Sequence, residues 1–145
     1  LDVLVSERPG KANRPSRREF NDVIAHADYL SLHCPLTDDN YHMIGPTVLS
    51  KMKPSAFLIN TARGGLVDSS ALLAALKTGE IAGAAVDVLD IEPPKNDESL
   101  ITNFDNLLVT PHNAWGAVES RNRLIEQMKE NIEAYLANQP KRQVT

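Results

Sequence analysis

The sequence predicts an α/β fold of the doubly wound class, in which a parallel sheet is covered by helices on both faces. Short apolar segments alternate along the chain with segments whose apolar residues recur at helical spacing. The apolar segments lack the alternating polarity of a half-exposed sheet, so we expect both of their faces to be buried. With 145 residues, the chain is long enough for one ordinary domain with a hydrophobic core.

Five strands and four helices are predicted. The strands are expected at residues 1–7, 28–35, 56–60, 81–89 and 106–111. The helices are expected at residues 15–27, 45–52, 68–80 and 117–137. Ser16 and Glu19 have the spacing of a capping box at the first helix. Asp68 or Ser69 is the expected N-cap of the third helix, and Gly79 follows its end.

The predicted last helix is long and amphipathic. Its apolar residues recur at helical spacing, at Ile125, Met128, Ile132 and Tyr135 or Leu136. We expect this stripe to take part in packing rather than in cofactor binding.

Composition excludes several classes of function. A net charge of -4 and a pI near 5.5 argue against a nucleic-acid partner. The apolar runs are too short to cross a bilayer. Cys34 is the single cysteine and cannot form an internal disulfide, and no Cys/His spacing indicates a metal site. These observations favour a cytoplasmic protein without a nucleic-acid partner, a membrane partner or a bound metal.

Polar residues follow the predicted strands, where ligands bind in parallel sheets. They are Glu7, His33, Cys34, Thr61, Arg63, Asp87, Glu92 and His112. Arg63 stands on a turn with Gly64 and Gly65, and its planar fork matches a carboxylate. The alternative is that Arg63 caps the edge of the sheet or forms a surface ion pair. A carboxylate such as Glu92 against the His112 imidazole would prepare the ring for proton transfer, whereas each residue alone is more often structural.

Three segments carry a resemblance to a known family. The stretches "INTARGGLVD", "AAVDVLDIEPP" and "LLVTPHNAW", in this order, resemble the signature segments of the D-isomer-specific 2-hydroxyacid dehydrogenases. "HCPLTDDNYHMI" resembles the family's segment after the preceding strand. "HNAW" followed by "ES" and "R" is most similar to the branch of hydroxypyruvate reductase, or glycerate dehydrogenase.

The resemblance implies an oxidoreductase that interconverts small 2-oxo acids and D-2-hydroxy acids. Arg63 would bind the substrate's carboxylate and carbonyl, His112 would be the general acid or base, and Glu92 would raise the pKa of the imidazole. Asp87 would contact the nicotinamide carboxamide, and Trp115 would narrow the pocket on the side where the substrate binds. The remaining implied cofactor contacts are Cys34, Pro35, Asn40, Thr61, Ala62, Arg63, His112 and Ala114.

Glu7 decides the expected cofactor. An acid at the end of this strand would accept hydrogen bonds from the adenosine ribose hydroxyls and repel a 2′-phosphate, which favours NAD. Arg8 directly follows and would instead favour that phosphate, so NADP is the alternative. A third reading of Glu7 is a solvated acid at the end of a strand.

The sequence departs from the family in one respect. No G-x-G-x-x-G occurs, so we expect the first strand and the phosphate loop of the Rossmann-like sheet to lie upstream of Leu1. Residues 1–115 would then be the carboxyl-terminal part of the NAD-binding domain, and residues 116–145 a helix and tail that return toward the substrate domain. We expect these 145 residues alone to bind NAD weakly or not at all and to lack turnover, and the full-length enzyme to be a homodimer.

Two other readings of function remain open. Relatives in the family can use the same fold as nucleotide-sensing interaction modules without catalysis. The chain could also be an inactive, truncated fragment.

Overall fold

A four-stranded parallel sheet is the centre of the computed structural model, which describes residues 2–10, 14–94 and 104–143. The strands are β1 (Tyr29–Leu32), β2 (Phe57–Asn60), β3 (Gly83–Val86) and β4 (Leu107–Val109). The helices are α1 (Phe20–His26), α2 (Pro46–Leu49), α3 (Ser69–Thr78) and α4 (Val118–Leu136). The strand order is β1-β2-β3-β4, so each strand lies beside its neighbour in the sequence. The predicted α/β class and the parallel sheet are confirmed.

The register places the carboxyl ends of all four strands at one level. Leu32 pairs with Asn60, Asn60 with Val86, and Val86 with Val109. The residues that follow these strands therefore leave the sheet along one edge. The core on the sheet is apolar and fully buried at its centre, with Leu58, Leu66, Leu72 and Ile81 each 0% exposed.

The ends of α3 agree with the sequence prediction. Asp68 is the N-cap, and its carboxylate accepts a hydrogen bond from the Ala71 backbone N–H at 3.0 Å. Gly79 closes the helix with φ of 72°, a left-handed conformation that glycine adopts without a steric penalty.

The predicted first strand is wrong for the residues that the structure describes, which begin at residue 2. Ser6 forms only an isolated parallel bridge with Arg18, and no strand is assigned over residues 2–7. Val3 is 82% exposed and Val5 is 49% exposed. A β-branched run becomes a buried strand only where another strand pairs with it, and the described residues provide one bridge.

The predicted start of α1 also differs from the observed start. The helix begins at Phe20, and the Glu19 carboxylate itself caps it by accepting from the Asp22 N–H at 2.9 Å. The predicted start at residue 15 and the capping box from Ser16 to Glu19 are wrong. Arg18 is held in extended pairing, since its N–H donates to the Val5 carbonyl and its carbonyl accepts from the Glu7 N–H. A helix therefore cannot begin before Glu19.

The chain divides into two compact units, residues 1–111 and 112–145. The second unit contains α4, whose predicted apolar stripe is exposed, with Ile125 at 64%, Met128 at 55% and Ile132 at 59%. In the described ranges, no helix has an apolar stretch long enough to cross a membrane. The expected boundary between residues 115 and 116 stays a prediction.

Replacing Asp68 with alanine is predicted to destabilise the protein by about 1 kcal/mol, because the first turn of α3 loses the acceptor for the Ala71 N–H. Urea unfolding measures this change. Ser70→Ala is the matched control, because Ser70 is exposed and lies inside the helix rather than at its cap. Equal effects of the two substitutions would contradict the capping role.

Candidate active site

The turn after β2 presents Arg63 at the carboxyl edge of the sheet, and Asn60 fixes its shape. Asn60 is 1% exposed. Its side-chain amide donates to the Arg63 carbonyl at 2.9 Å, and its side-chain oxygen accepts from the Ala62 N–H at 3.1 Å. Sequence reasoning did not assign Asn60 a role. The available indication was an amide at the end of an otherwise apolar strand, which must find partners when buried.

Arg63 lies in the lining of a cavity at this edge. Its Nη1 donates to the Ala62 carbonyl at 2.7 Å, and the residue is exposed. The cavity has a volume of about 530 Å³ and lies between the segments that follow β1 and β2. It is lined by His33, Cys34, Pro35, Leu36, Thr61, Ala62 and Arg63. Five of the predicted site residues are therefore brought together in one cavity.

Gly64 allows the loop after β3 to pack directly against the Arg63 turn. A Cβ at position 64 would lie 2.0 Å from the carbonyl carbon and oxygen of Leu89. Only a residue without a side chain fits this approach. The turn that carries Arg63 and the loop that carries Glu92 are thus in contact through their backbones.

Glu92 is held within its own loop. Its Oε1 accepts a hydrogen bond from the Leu89 N–H at 2.8 Å, and the peptide bond between Glu92 and Pro93 is cis. The hydrogen bond from the Leu89 N–H orients the Glu92 carboxylate. Gly64 allows this loop to lie beside the Arg63 turn. Its assigned role toward His112 stays a prediction.

Asp90 forms a cluster with Tyr41 and His42 that sequence reasoning missed. The Tyr41 hydroxyl donates to Asp90 Oδ2 at 3.0 Å, and His42 Nε2 lies 3.6 Å from the same oxygen. The hydrogen bond to Asp90 raises the pKa of Tyr41. The rings of Tyr41 and His42 stack at 3.9 Å. These contacts tie the segment after β1 to the loop that carries Glu92, and no pattern of spacing along the sequence indicated them.

Asp87 is buried at the end of β3, with 4% of its surface exposed. Its N–H donates to the Asn60 carbonyl at 2.9 Å, and its Oδ1 accepts from the Thr110 hydroxyl at 2.5 Å. It therefore links the ends of β2, β3 and β4. The predicted contact between Asp87 and a nicotinamide stays a prediction.

Asn40 shapes the loop after β1. Its side-chain oxygen accepts from the Thr37 N–H at 2.7 Å, and its amide donates to the Pro35 carbonyl at 2.8 Å. The Cys34 sulfur lies 4.0 Å from the same amide. Asn40 thus holds Cys34 and Pro35 in the wall of the cavity, while its predicted contact with a cofactor stays a prediction.

His112 begins the second unit in a strained backbone conformation. Its φ of 51° lies in the left-handed region that residues with a side chain rarely adopt, and such residues are enriched at functional sites. The Trp115 indole N–H donates to the His112 carbonyl at 2.9 Å, and the Gly116 N–H donates to the Asn113 carbonyl at 2.8 Å. These two bonds close a turn that includes Ala114. The convergence of His112 with Arg63 and Glu92 stays a prediction.

Glu7, the residue predicted to select the cofactor, is a buried acid in an ion pair. Arg14 donates to both of its carboxylate oxygens, at 2.7 Å and 2.8 Å. The Arg8 backbone N–H donates to Oε1 at 3.0 Å. The hydrogen bonds from Arg14 and then from Arg8 lower the pKa of Glu7 from 4.5 to about 2.

Within the described ranges, no group of His, Cys, Asp and Glu side chains is arranged to hold a metal ion.

Comparisons with known proteins agree on one family. A family model described as D-isomer specific 2-hydroxyacid dehydrogenase, NAD binding domain, matches residues 2–114. A glycerate dehydrogenase of Methylorubrum extorquens is 49% identical over 123 residues, which cover 84% of this chain and 39% of that protein. A glyoxylate reductase of Thermofilum pendens is 47% identical over 122 residues, which cover 81% of this chain and 35% of that protein.

A solved structure shares the fold. The D-isomer specific 2-hydroxyacid dehydrogenase of Lactobacillus delbrueckii ssp. bulgaricus, in its NAD complexed form, superposes with a TM-score of 0.78 and 32% identity. The match covers 92% of this chain and 46% of that one. The chain thus spans less than half the length of each of these proteins.

Glu7 is predicted to make stability depend on pH in the acid range. Its pKa is lower in the folded protein than in the unfolded chain, so its stabilisation is present above pH 4.5 and is lost as the pH falls toward about 2. Glu7→Gln removes this titration. The difference in the free energy of unfolding between wild type and Glu7→Gln is therefore expected to shrink across this window. Chemical unfolding at several pH values measures it, and a constant difference would contradict the ion pair.

Proposed function

The chain belongs to the D-isomer specific 2-hydroxyacid dehydrogenase family, and on this premise we propose that the full-length protein reduces small 2-oxo acids to D-2-hydroxy acids with NAD(P)H. The observation that carries the proposal is the placement of Arg63, which a buried amide and a glycine contact hold in the wall of a cavity at the carboxyl edge of the sheet. A cation at this place suits an anionic substrate.

The residues at this edge fit a nicotinamide cofactor. The cavity of about 530 Å³ is of the size that small-molecule sites have, and it lies where parallel sheets bind nucleotides. We propose that Cys34, Pro35, Asn40, Thr61, Ala62, Asp87 and Ala114 contact the cofactor. When bound, the cofactor supplies a hydride to the carbonyl carbon of the substrate.

Arg63 binds and orients the substrate in this proposal. Its guanidinium is a planar fork that pairs with a carboxylate through two parallel hydrogen bonds. The same cation stabilises negative charge that develops on the carbonyl oxygen during reduction. The fixed orientation of the 2-oxo acid also brings its carbonyl carbon close to the cofactor.

His112 donates the proton that completes the reduction. The carbonyl oxygen would gain negative charge during reduction, and a ring N–H of His112 would donate a proton to that oxygen. Glu92 holds and orients the His112 ring in this proposal. In oxidation the same ring accepts the proton from the hydroxyl. Trp115 narrows the pocket on the side where the substrate binds.

Hydroxypyruvate and glyoxylate are the proposed substrates. Two relatives bear the names glycerate dehydrogenase and glyoxylate reductase. The products of hydroxypyruvate reduction and of glyoxylate reduction are both small 2-hydroxy acids. The test is loss of NADH absorbance when the full-length protein meets hydroxypyruvate, glyoxylate or pyruvate. Turnover with none of them would favour the nucleotide-sensing interaction module instead. A homodimer and a cytoplasmic location stay predictions.

For His112→Gln we predict that kcat falls about 100-fold or more while NADH binding is nearly unchanged, because the general acid is lost and the residues that line the cavity are unaltered. Steady-state kinetics and a fluorescence titration of NADH measure the two quantities. His26→Gln, an exposed histidine of α1, is the control. Equal losses of turnover and of NADH binding would make His112 a wall of the cofactor pocket rather than the acid.

For Arg63→Lys we predict that kcat/KM for the 2-oxo acid falls by about tenfold to hundredfold, because a point charge cannot form the paired hydrogen bonds. The KM for NADH is expected to change little. Arg123→Lys, the same substitution on the exposed surface of α4, serves for comparison. Unchanged kinetics for Arg63→Lys would remove Arg63 from substrate binding.

A further inference from the structure

The Asp90 cluster, formed by Tyr41, His42 and Asp90, joins two loops at the carboxyl edge of the sheet. Two successive residues reach the same carboxylate oxygen, since the Tyr41 hydroxyl donates to Oδ2 at 3.0 Å and His42 Nε2 lies 3.6 Å from it. Successive side chains of an extended segment point in opposite directions. The φ of 52° at His42 interrupts the extended path at this point, and both side chains face Asp90.

The backbone of His42 is held in this conformation by the turn that carries Arg63. A residue with a side chain adopts a left-handed φ at a cost, and the surrounding structure must compensate for it. The His42 N–H donates to the Gly65 carbonyl at 2.7 Å, and the Ile44 N–H donates to the Leu66 carbonyl at 3.0 Å. The segment of Tyr41 and His42 is therefore bonded to the residues that directly follow Arg63.

The Asp90 cluster also packs on the Arg63 turn. A Cβ at position 65 would lie 3.0 Å from Asp90 Oδ1, 3.0 Å from Leu36 Cδ2 and 3.1 Å from Tyr41 Cε2. These distances are shorter than ordinary van der Waals contact, so the two loops meet over Gly65 with little room for a side chain. The cluster thus joins the segments that follow β1, β2 and β3.

Asp90 lies inside the short turn that the Glu92 carboxylate closes. Glu92 Oε1 accepts from the Leu89 N–H at 2.8 Å, and Asp90 stands between these two residues. Contacts that hold Asp90 therefore also restrict where the Glu92 carboxylate can lie.

The contacts of Asp90 are partly shielded from water. The side chains of His42 and Asp90 are 32% and 30% exposed. The His42 Nε2 atom is buried and has no hydrogen-bond partner among the residues that the structure describes, so the nearby carboxylate stabilises a hydrogen on it. The hydrogen bond to Asp90 raises the pKa of Tyr41, so its hydroxyl stays a donor at neutral pH.

We propose that Tyr41 and His42 are positioning residues that hold the Glu92 carboxylate in place through Asp90. The consequence for the reaction rests on the proposed function, in which Glu92 orients His112. The residues of the Asp90 cluster are not among those proposed to contact substrate or cofactor. Their loss therefore lowers the rate of the chemical step, which depends on geometry, and leaves NADH binding unchanged.

Tyr41→Phe tests the hydroxyl, because phenylalanine keeps the ring that stacks on His42. With the full-length protein and a 2-oxo acid, we expect kcat to fall about threefold to tenfold and the Kd for NADH to stay the same. Tyr29→Phe, the same substitution at an exposed tyrosine of β1, is the control and is expected to leave both values unchanged. An unchanged kcat in Tyr41→Phe would overturn the proposal.

A double-mutant cycle with Glu92→Gln separates positioning from a general loss of stability. In the Glu92→Gln background, Tyr41→Phe is expected to cause no further loss of kcat, because the carboxylate that the cluster positions is gone. The same loss in both backgrounds would overturn the proposal. His42→Asn keeps a residue type that tolerates a left-handed φ but is too short to reach Asp90, and we expect its loss of kcat to vanish in the Glu92→Gln background too. A loss that persists there would overturn the role of His42.

Hydrogen exchange at Leu89 tests the positioning of Glu92 without catalysis, since the Leu89 N–H donates to the Glu92 carboxylate. We expect this amide to exchange about threefold to tenfold faster in Tyr41→Phe than in wild type or in Tyr29→Phe. Equal rates in all three would overturn the inference, and turnover of a 2-oxo acid by the wild type would still leave the proposed function standing. Faster exchange in Tyr41→Phe, in a protein that turns over no 2-oxo acid, would support the positioning of Glu92 and overturn the proposed function.

Discussion

The level register of the four parallel strands is the constraint on which the rest of the structure depends. Leu32, Asn60, Val86 and Val109 lie side by side, so four chain segments leave the sheet at one height. A shift of one residue in any strand would turn its side chains to the opposite face. The buried amide of Asn60, the carboxylate of Asp87 and the hydroxyl of Thr110 would then lose the partners that they have at this edge. The geometry of the candidate site follows from the pairing of the backbone.

Hydrogen-bonded polar side chains give this edge of the sheet a defined shape. Asn60 holds the turn that carries Arg63, and Asn40 holds the loop that carries Cys34. Both amides bond to backbone groups, so they fix the positions of neighbouring residues while exposed side chains are left for a ligand. Asp90 adds a link from Tyr41 to the loop of Glu92. The proposed chemistry therefore relies on supporting residues such as Asn60 and Asp90, as well as on the residues proposed to contact substrate or cofactor.

The sequence was sufficient to predict the fold class, the family and the ends of α3, because each depends on local patterns or on contiguous segments. Asp68 and Gly79 act within a few residues of where they stand. Residues 2–7 were misread because strand formation depends on a partner, and a β-branched run does not reveal whether one lies beside it. Glu19 was predicted to lie inside the first helix, as the partner of Ser16 in a capping box, whereas it is itself the N-cap. The prediction failed because Arg18 pairs with Val5 and Glu7, which lie in an earlier segment of the chain. The pair of Glu7 with Arg14 and the contact of Gly64 with Leu89 depend in the same way on how loops fold back.

The approach of Gly64 to Leu89 has a consequence for how this protein can vary. Any side chain at position 64 must displace the peptide between Leu89 and Asp90, which lies within 2.4 Å of the site of its Cβ. Because one backbone contact joins the two loops, a shift of either would be passed to the other. Arg63 and Glu92 are therefore expected to change position together in any variant that moves either loop, and position 64 is expected to tolerate no side chain.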